Sequence, residues 1–205
     1  MYCLWIWIRQ VGRRLRNTCG CIGLTKTSII DIAVKRALTV KNRRKALRYI
    51  SLFSGIGALD LAVRSVLGAE TEAYVEIDKF CQKVLRARMK DGYLEEAEIF
   101  DDIRKFKWEK TDMVVGGFPC QPFSVAGERK GESDDRNMWP DTLRVIRMAR
   151  PQYVFLENVP GLLSGDDEGG QPYVYTVLRD LAEEGFDAEW EIVGADDAGA
   201  SHRRK

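Results

Sequence analysis

The sequence predicts a doubly wound α/β fold with a mostly parallel, Rossmann-like sheet, and three observations carry that expectation. From Tyr49 onward, short apolar runs alternate with segments of helical period, the pattern of βαβ units around a parallel sheet. A glycine-rich loop, Ser54-Gly55-Ile56-Gly57, joins the first such run to the first helical segment. Finally, Phe53, Glu76, Asp102, Cys120 and Glu157 each fall at or just past the end of an apolar run. That edge is where open α/β sheets bind their ligands.

Strands are expected near 48–53, 72–77, 97–100, 112–117, 152–157 and 187–193, and helices near 57–67, 79–90, 139–149 and 171–184. The loop after the first strand is no dinucleotide fingerprint, because Asp60 stands where the third glycine of GxGxxG would fall. A tight strand-to-helix turn explains it as well as a ligand does. Glu76 ends the second strand, 19 positions past Gly57, where a carboxylate can accept hydrogen bonds from ribose hydroxyls. Asp101-Asp102 follow the third strand and read either as ligand contacts or as a cap for a short helix.

The fourth strand, Asp112 to Gly117, runs into Phe118-Pro119-Cys120-Gln121. Pro119 fixes its own φ and has no N–H for a ladder, so the strand stops there and holds the Cys120 thiol at the sheet edge, as a nucleophile requires. Cys81, inside a helical stretch, reads instead as an inert small apolar residue. The fifth strand ends at Glu157 after Tyr153-Val154-Phe155-Leu156, apolar neighbours that favour the protonated form of a general acid. Its alternative role is to cap the following turn.

Length and composition suit one soluble domain, with 205 residues of which 45% are apolar. Charge is unevenly spread: residues 1–48 carry 12 Lys+Arg against Asp31 alone, and residues 49–205 carry 20 against 30 acidic residues. Residues 1–47 are therefore expected to be a basic, poorly ordered extension, with nucleic-acid contact as the other reading, and residues 48–205 the folded α/β domain. Met1 to Ile8 is apolar but far short of a membrane span, and the charges follow it, so neither a signal peptide nor a transmembrane helix is expected. Five cysteines without CxxC spacing, and His202 as the one histidine, argue against a disulfide framework or a metal site. Free thiols suit a reducing cytoplasm.

Phe53-x-Gly55-x-Gly57, Phe118-Pro119-Cys120-Gln121-Pro122-Phe123-Ser124 and Glu157-Asn158-Val159 occur in the order in which they stand in the cytosine-C5 DNA methyltransferase family, which the chain resembles from about Ser51 to its C-terminus. The resemblance implies a Rossmann-like methyltransferase fold and S-adenosyl-L-methionine as cofactor. Its implied cofactor contacts are Phe53, Ser54, Gly55, Ile56, Gly57, Glu76, Ile77, Asp102, Ile103 and Pro119. Glu76 and Ile77 would hold ribose and adenine, and Asp102-Ile103 the adenine edge. Cys120 would add to C6 of a cytosine turned out of the duplex, Glu157 would act at N3, and Arg204, with Arg203 as the one-residue alternative, would hold the cytosine oxygen and the acid. Gln121 and Ser124 would contact DNA, with Arg129, Lys130 and Arg136 available for further phosphates. Met138-Trp139 would either cover the cofactor or start a helix.

The family pattern continues past Lys205, so the resemblance also implies a chain incomplete at its C-terminus, without a target-recognition domain and with little activity by itself. Double-stranded DNA is the implied partner, and a separate chain supplying the recognition domain a further one. A bacterial or phage-infected cell's cytoplasm is the implied location. Other readings stay open: a non-catalytic fragment that binds cofactor or a partner, a tRNA cytosine-C5 methyltransferase, and, distantly, an NAD-dependent dehydrogenase.

Overall fold

The computed structural model describes residues 3–10, 46–119, 137–163, 170–197, 199 and 201. Cys120, Gln121, Ser124 and Arg204 lie outside them, as do Arg203, Arg129, Lys130 and Arg136.

The strands are β1 (Cys3–Gln10), β2 (Arg48–Leu52), β3 (Glu70–Val75), β4 (Glu98–Phe100), β5 (Met113–Gly116), β6 (Tyr153–Asn158) and β7 (Phe186–Val193). The helices are α1 (Ala58–Leu67), α2 (Lys79–Lys90), α3 (Trp139–Ala149) and α4 (Tyr173–Glu183), with a 3-10 turn at Pro160–Leu163. All seven strands form one sheet in the order β4-β3-β2-β5-β6-β1-β7. The pairings β2 with β3, β3 with β4, β2 with β5 and β5 with β6 are parallel. β1 alone runs against its neighbours β6 and β7. The expected doubly wound, mostly parallel sheet is therefore the one observed, and every strand and helix expected from residue 48 onward is present within a few residues.

Strand order reverses between β2 and β5. The chain leaves β2 towards β3 and β4 on one side, then returns to place β5 and β6 on the other. At such a reversal the loops leaving adjacent strand ends part and open a crevice.

Alternation along the strands sends side chains to the two faces of the sheet. Ile50, Leu52, Val114, Val154 and Leu156 face α3 and α4, burying Trp139, Leu143, Ile146, Tyr173, Val177 and Leu181 with them. Tyr49, Met113, Val115 and Tyr153 face the opposite way, towards Val63 of α1. The Trp139 indole N–H donates to Asp180 Oδ2 at 2.9 Å, joining α3 to α4, and its ring lies 5.2 Å from that of Phe118. Trp139 is thus a core residue, the second of its two expected roles.

One element departs from the sequence expectation. Cys3–Gln10, assigned to a poorly ordered extension, is a strand inside the sheet, paired from Leu4↔Asn158 to Arg9↔Tyr153 on one side and from Cys3↔Val193 to Gln10↔Phe186 on the other. Ile6 and Ile8 are fully buried in the core beneath α3 and α4. An apolar run with β-branched residues at every second position is the composition of a central strand, and the sheet supplies partners on both edges. Nothing in its local pattern says which strands those are.

Candidate active site

The crevice at the β2/β5 reversal is built first by a strained turn. Phe53, directly after β2, has φ 54°, a left-handed conformation that is a genuine outlier for a bulky side chain. Holding it there costs roughly 1–3 kcal/mol, a strain characteristic of ligand-binding turns. Ser54 pins the next step, its N–H donating to the Val75 carbonyl at 3.1 Å and its hydroxyl to that of Ser51 at 3.1 Å. Gly57 closes the loop with φ 84°, and a Cβ there would stand 2.6 Å from Leu94 Cδ1.

Glu76 fastens this loop to the end of β3. Its Oε2 accepts from the Gly55 N–H at 2.7 Å and its Oε1 from the Asp78 N–H at 2.7 Å. Gln82 of α2 donates to the Glu76 backbone carbonyl at 2.6 Å and to Asp101 Oδ1 at 2.7 Å, tying α2 to the ends of β3 and β4. Each Glu76 oxygen keeps a lone pair for a ligand hydroxyl. Around it, nothing stands within 4 Å of where a Gly55 Cβ would be, and Ile56 and Ile77 are 54% and 66% exposed. An open backbone cradle, a carboxylate acceptor and two exposed apolar side chains fit the hydroxyls and the flat ring of an adenosine.

The neighbouring pair behaves differently. Asp102 accepts both from the Arg104 backbone N–H at 3.0 Å and from its guanidinium, Nε to Oδ1 at 2.9 Å, which holds its carboxyl below the usual carboxylate range. Ile103 is 4% exposed and packs into the core. Asp101 pairs with Lys79 at 2.8 Å, which likewise lowers its pKa. No helix directly follows Asp101-Asp102: Asp102 closes a turn over residues 103–105, Asp101 is tied to α2, and Ile103 offers the crevice little surface.

Across the crevice, β5 and β6 bring the second set together. The register pairs Gly116 with Leu156, so the next residues meet as well, Gly117 just past β5 and Glu157 within β6, one residue before its end. Glu157 Oε2 lies 3.0 Å from the position a Gly117 Cβ would take. The Asn158 amide donates to the Phe118 carbonyl at 3.0 Å, while its oxygen accepts from the Val159 N–H at 2.8 Å. The Glu157 carboxylate therefore rests on the backbone that leads through half-buried Pro119 to residue 120.

Cys81 is different in kind. It sits in the first turn of α2, where Asp78 accepts from its backbone N–H at 2.8 Å, and desolvation together with that carboxylate pushes its thiol up rather than activating it. Among the described residues no cluster of three His, Cys, Asp or Glu could hold a metal ion, and no helix is long and apolar enough to cross a membrane. Gln82, Asp78 and Asn158 are the contributors that sequence reading gave no role. Asp78 was legible as a cap before a helical segment, whereas the bonds of Gln82 and Asn158 depend on segments distant in sequence.

Comparison with known proteins agrees with this arrangement. A family model described as C-5 cytosine-specific DNA methylase matches residues 47–205. The type II methyltransferase M.Bsp6I of Bacillus sp. (strain RFL6) is 34% identical over 158 residues, 75% of this chain and 48% of that protein. M.HpaII of Haemophilus parainfluenzae is 36% identical over 167 residues, 80% of this chain and 45% of that protein. M.HhaI of Haemophilus parahaemolyticus is 34% identical over 160 residues, 78% of this chain and 47% of that protein. The chain spans about half the length of these relatives. The chain belongs to the C-5 cytosine-specific DNA methylase family.

Proposed function

We propose that this chain carries the cofactor site and the cytosine site of a DNA (cytosine-5-)-methyltransferase that uses S-adenosyl-L-methionine on double-stranded DNA. The observation that carries the proposal is the convergence of the Glu76-tied loop and the Gly117–Glu157 contact on one sheet edge. Phe53, Ser54 to Gly57, Glu76 and Ile77 would hold the cofactor, which supplies an electrophilic methyl group. Pro119 borders the same crevice. Asp102 and Ile103, implied by family resemblance, remain adenine-edge positions only if Asp102 shares its carboxylate between Arg104 and the ligand.

C5 of cytosine is a poor nucleophile until the ring loses its aromaticity. The thiolate of Cys120 adds to C6 with the base extruded from the duplex, and the electron pair moves towards N3, where Glu157 hydrogen-bonds or protonates the ring. C5, now nucleophilic, would accept the methyl group as its bond to the donor sulfur breaks and a thioether leaves, and loss of the C5 proton to a base would expel the Cys120 thiolate as aromaticity returns. Gln121 and Ser124 would contact the DNA beside the gap, and Arg204 the cytosine oxygen. A reducing cytoplasm keeps the Cys120 thiol available.

Covalent trapping tests the reading. With the continuation that a relative such as M.HpaII carries beyond the matched half, the chain should form a denaturation-resistant adduct with duplex DNA containing 5-fluorocytosine, because fluorine cannot leave as a proton does. Adduct formed at an unchanged rate by Cys120→Ser would exclude this thiol as the nucleophile.

A further inference from the structure

We infer that the chain has a second nucleic-acid contact, a basic groove at the amino edge of the sheet that grips backbone phosphates without reading sequence. The groove encloses about 660 Å³ and is lined by Lys107, Trp108, Glu109, Lys110, Arg147, Met148 and Arg150. Its two walls are the segment that leads into β5 and the end of α3 that leads into β6. It therefore opens at the amino ends of strands whose carboxyl ends form the candidate active site. The two are separated by at least the length of β5, about 13 Å at 3.3 Å per residue.

The walls are fastened to each other. Arg144 of α3 donates to the carbonyls of Ile103 and Phe106, and the Thr111 N–H donates to the Ala149 carbonyl at 3.2 Å. Trp108 lies flat on Phe106, with ring centroids 5.8 Å apart and planes 17° apart, so the indole is a floor already stacked on the protein. A preformed cleft with fixed walls needs little ordering on binding.

Charge then decides the ligand. Four cations line the groove against one carboxylate, Glu109. Arg147 is engaged by Glu184 at 2.6 Å, but Lys107, Lys110 and Arg150 have no ion pair among the described residues. Three uncommitted cations around a cleft suit phosphodiesters, and a tryptophan occupied by Phe106 suits the backbone better than an unstacked base.

Arg150 supplies an independent observation. It caps α3 in the left-handed conformation, φ 44° and ψ 52°, where glycine is favoured and an arginine is strained. Cations near a helix C-terminus also offset its dipole, yet Arg147 already serves there. A strained backbone kept at a cleft mouth, where glycine would sit without cost, supports a binding role for the side chain it carries.

The test is fluorescence anisotropy of a labelled mixed-sequence duplex bound by the whole chain between 50 and 200 mM salt. Each phosphate contact contributes about 0.9 to the slope of log K against log salt, so Lys107→Gln/Lys110→Gln should lower the slope by about 2 and weaken binding at 0.1 M salt by at least about tenfold. Basic residues 11–45 are common to every variant and cancel in the difference. Arg150→Gly should raise or preserve the thermal midpoint, since glycine suits φ 44°, while still weakening binding severalfold. An unchanged slope in the double variant would overturn the inference. So would an equal loss in a control carrying Lys83→Gln/Lys90→Gln on α2, because the effect would then be one of net charge alone. Binding that survives in Arg150→Gly at full strength would remove Arg150 from the site and count against the groove.

Discussion

Replacing Asp60 by asparagine should make this protein more stable at neutral pH, although the residue is fully buried and hydrogen-bonded. Asp60 lies in the first turn of α1, with Oδ1 accepting from the Tyr49 hydroxyl at 3.1 Å and Oδ2 without a partner among the described residues. Burial pushes its carboxyl from 3.8 up to about 6, only partly offset by the hydroxyls of Ser51 and Tyr49. The same desolvation, with the Asp60 charge, drives the Tyr49 hydroxyl upward. Tyr74 is pushed up to about 12, chiefly by burial.

Because the folded-state pKa of Asp60 is raised, the native state binds more protons than the unfolded state between pH 4 and 6. Stability therefore falls as pH rises through that window, and the deficit is complete above about pH 6. A shift of roughly two units corresponds to about 3 kcal/mol. Asparagine keeps an oxygen for the Tyr49 hydroxyl and carries no charge, but leaves an N–H₂ where the unpartnered oxygen stood, so the net gain should be about 1–3 kcal/mol. Urea denaturation at pH 7.5 and pH 4.5 measures it. The variant should have a higher midpoint with an unchanged m-value at pH 7.5, and the gap should close towards pH 4. A variant less stable at pH 7.5, or a gap equal at both pH values, would refute the linkage.

Three further outcomes follow from the site. Glu76→Gln can still accept from one of the Gly55 and Asp78 N–H groups but presents its own N–H₂ to the other, so cofactor affinity, read by calorimetry, should fall about tenfold, the effect of losing one charge-assisted bond; unchanged affinity would show that the loop is held without it. Gly117→Ala puts a methyl 3.0 Å from Glu157 Oε2 and should slow 5-fluorocytosine trapping while changing urea stability by less than about 1 kcal/mol; trapping at the original rate would mean that the carboxylate has room to give. Gly57→Ala meets Leu94 Cδ1 at 2.6 Å and Leu85 Cδ2 at 3.1 Å in a left-handed conformation, and should cost about 1–3 kcal/mol in urea unfolding, with a neutral result excluding this packing.

By itself the sequence determined the alternating elements from Tyr49 onward and the edge on which Phe53, Glu76 and Glu157 would gather. Both are local matters: apolar period selects strand or helix, and glycine or proline fixes where each ends. Tertiary structure decided what depends on partners distant in the chain. The Cys3–Gln10 run carries the composition of a buried strand, but its place between β6 and β7 is set by pairing with residues 153–158 and 186–193. Resemblance puts Ile103 at the adenine edge, whereas packing takes it into the core and hands Asp102 to Arg104. Asp60 looks like an ordinary first-turn acid until β2 covers it with Tyr49. The basic groove exists only because Arg144 and Thr111 bind two remote segments together, and no local pattern encodes a contact across the fold.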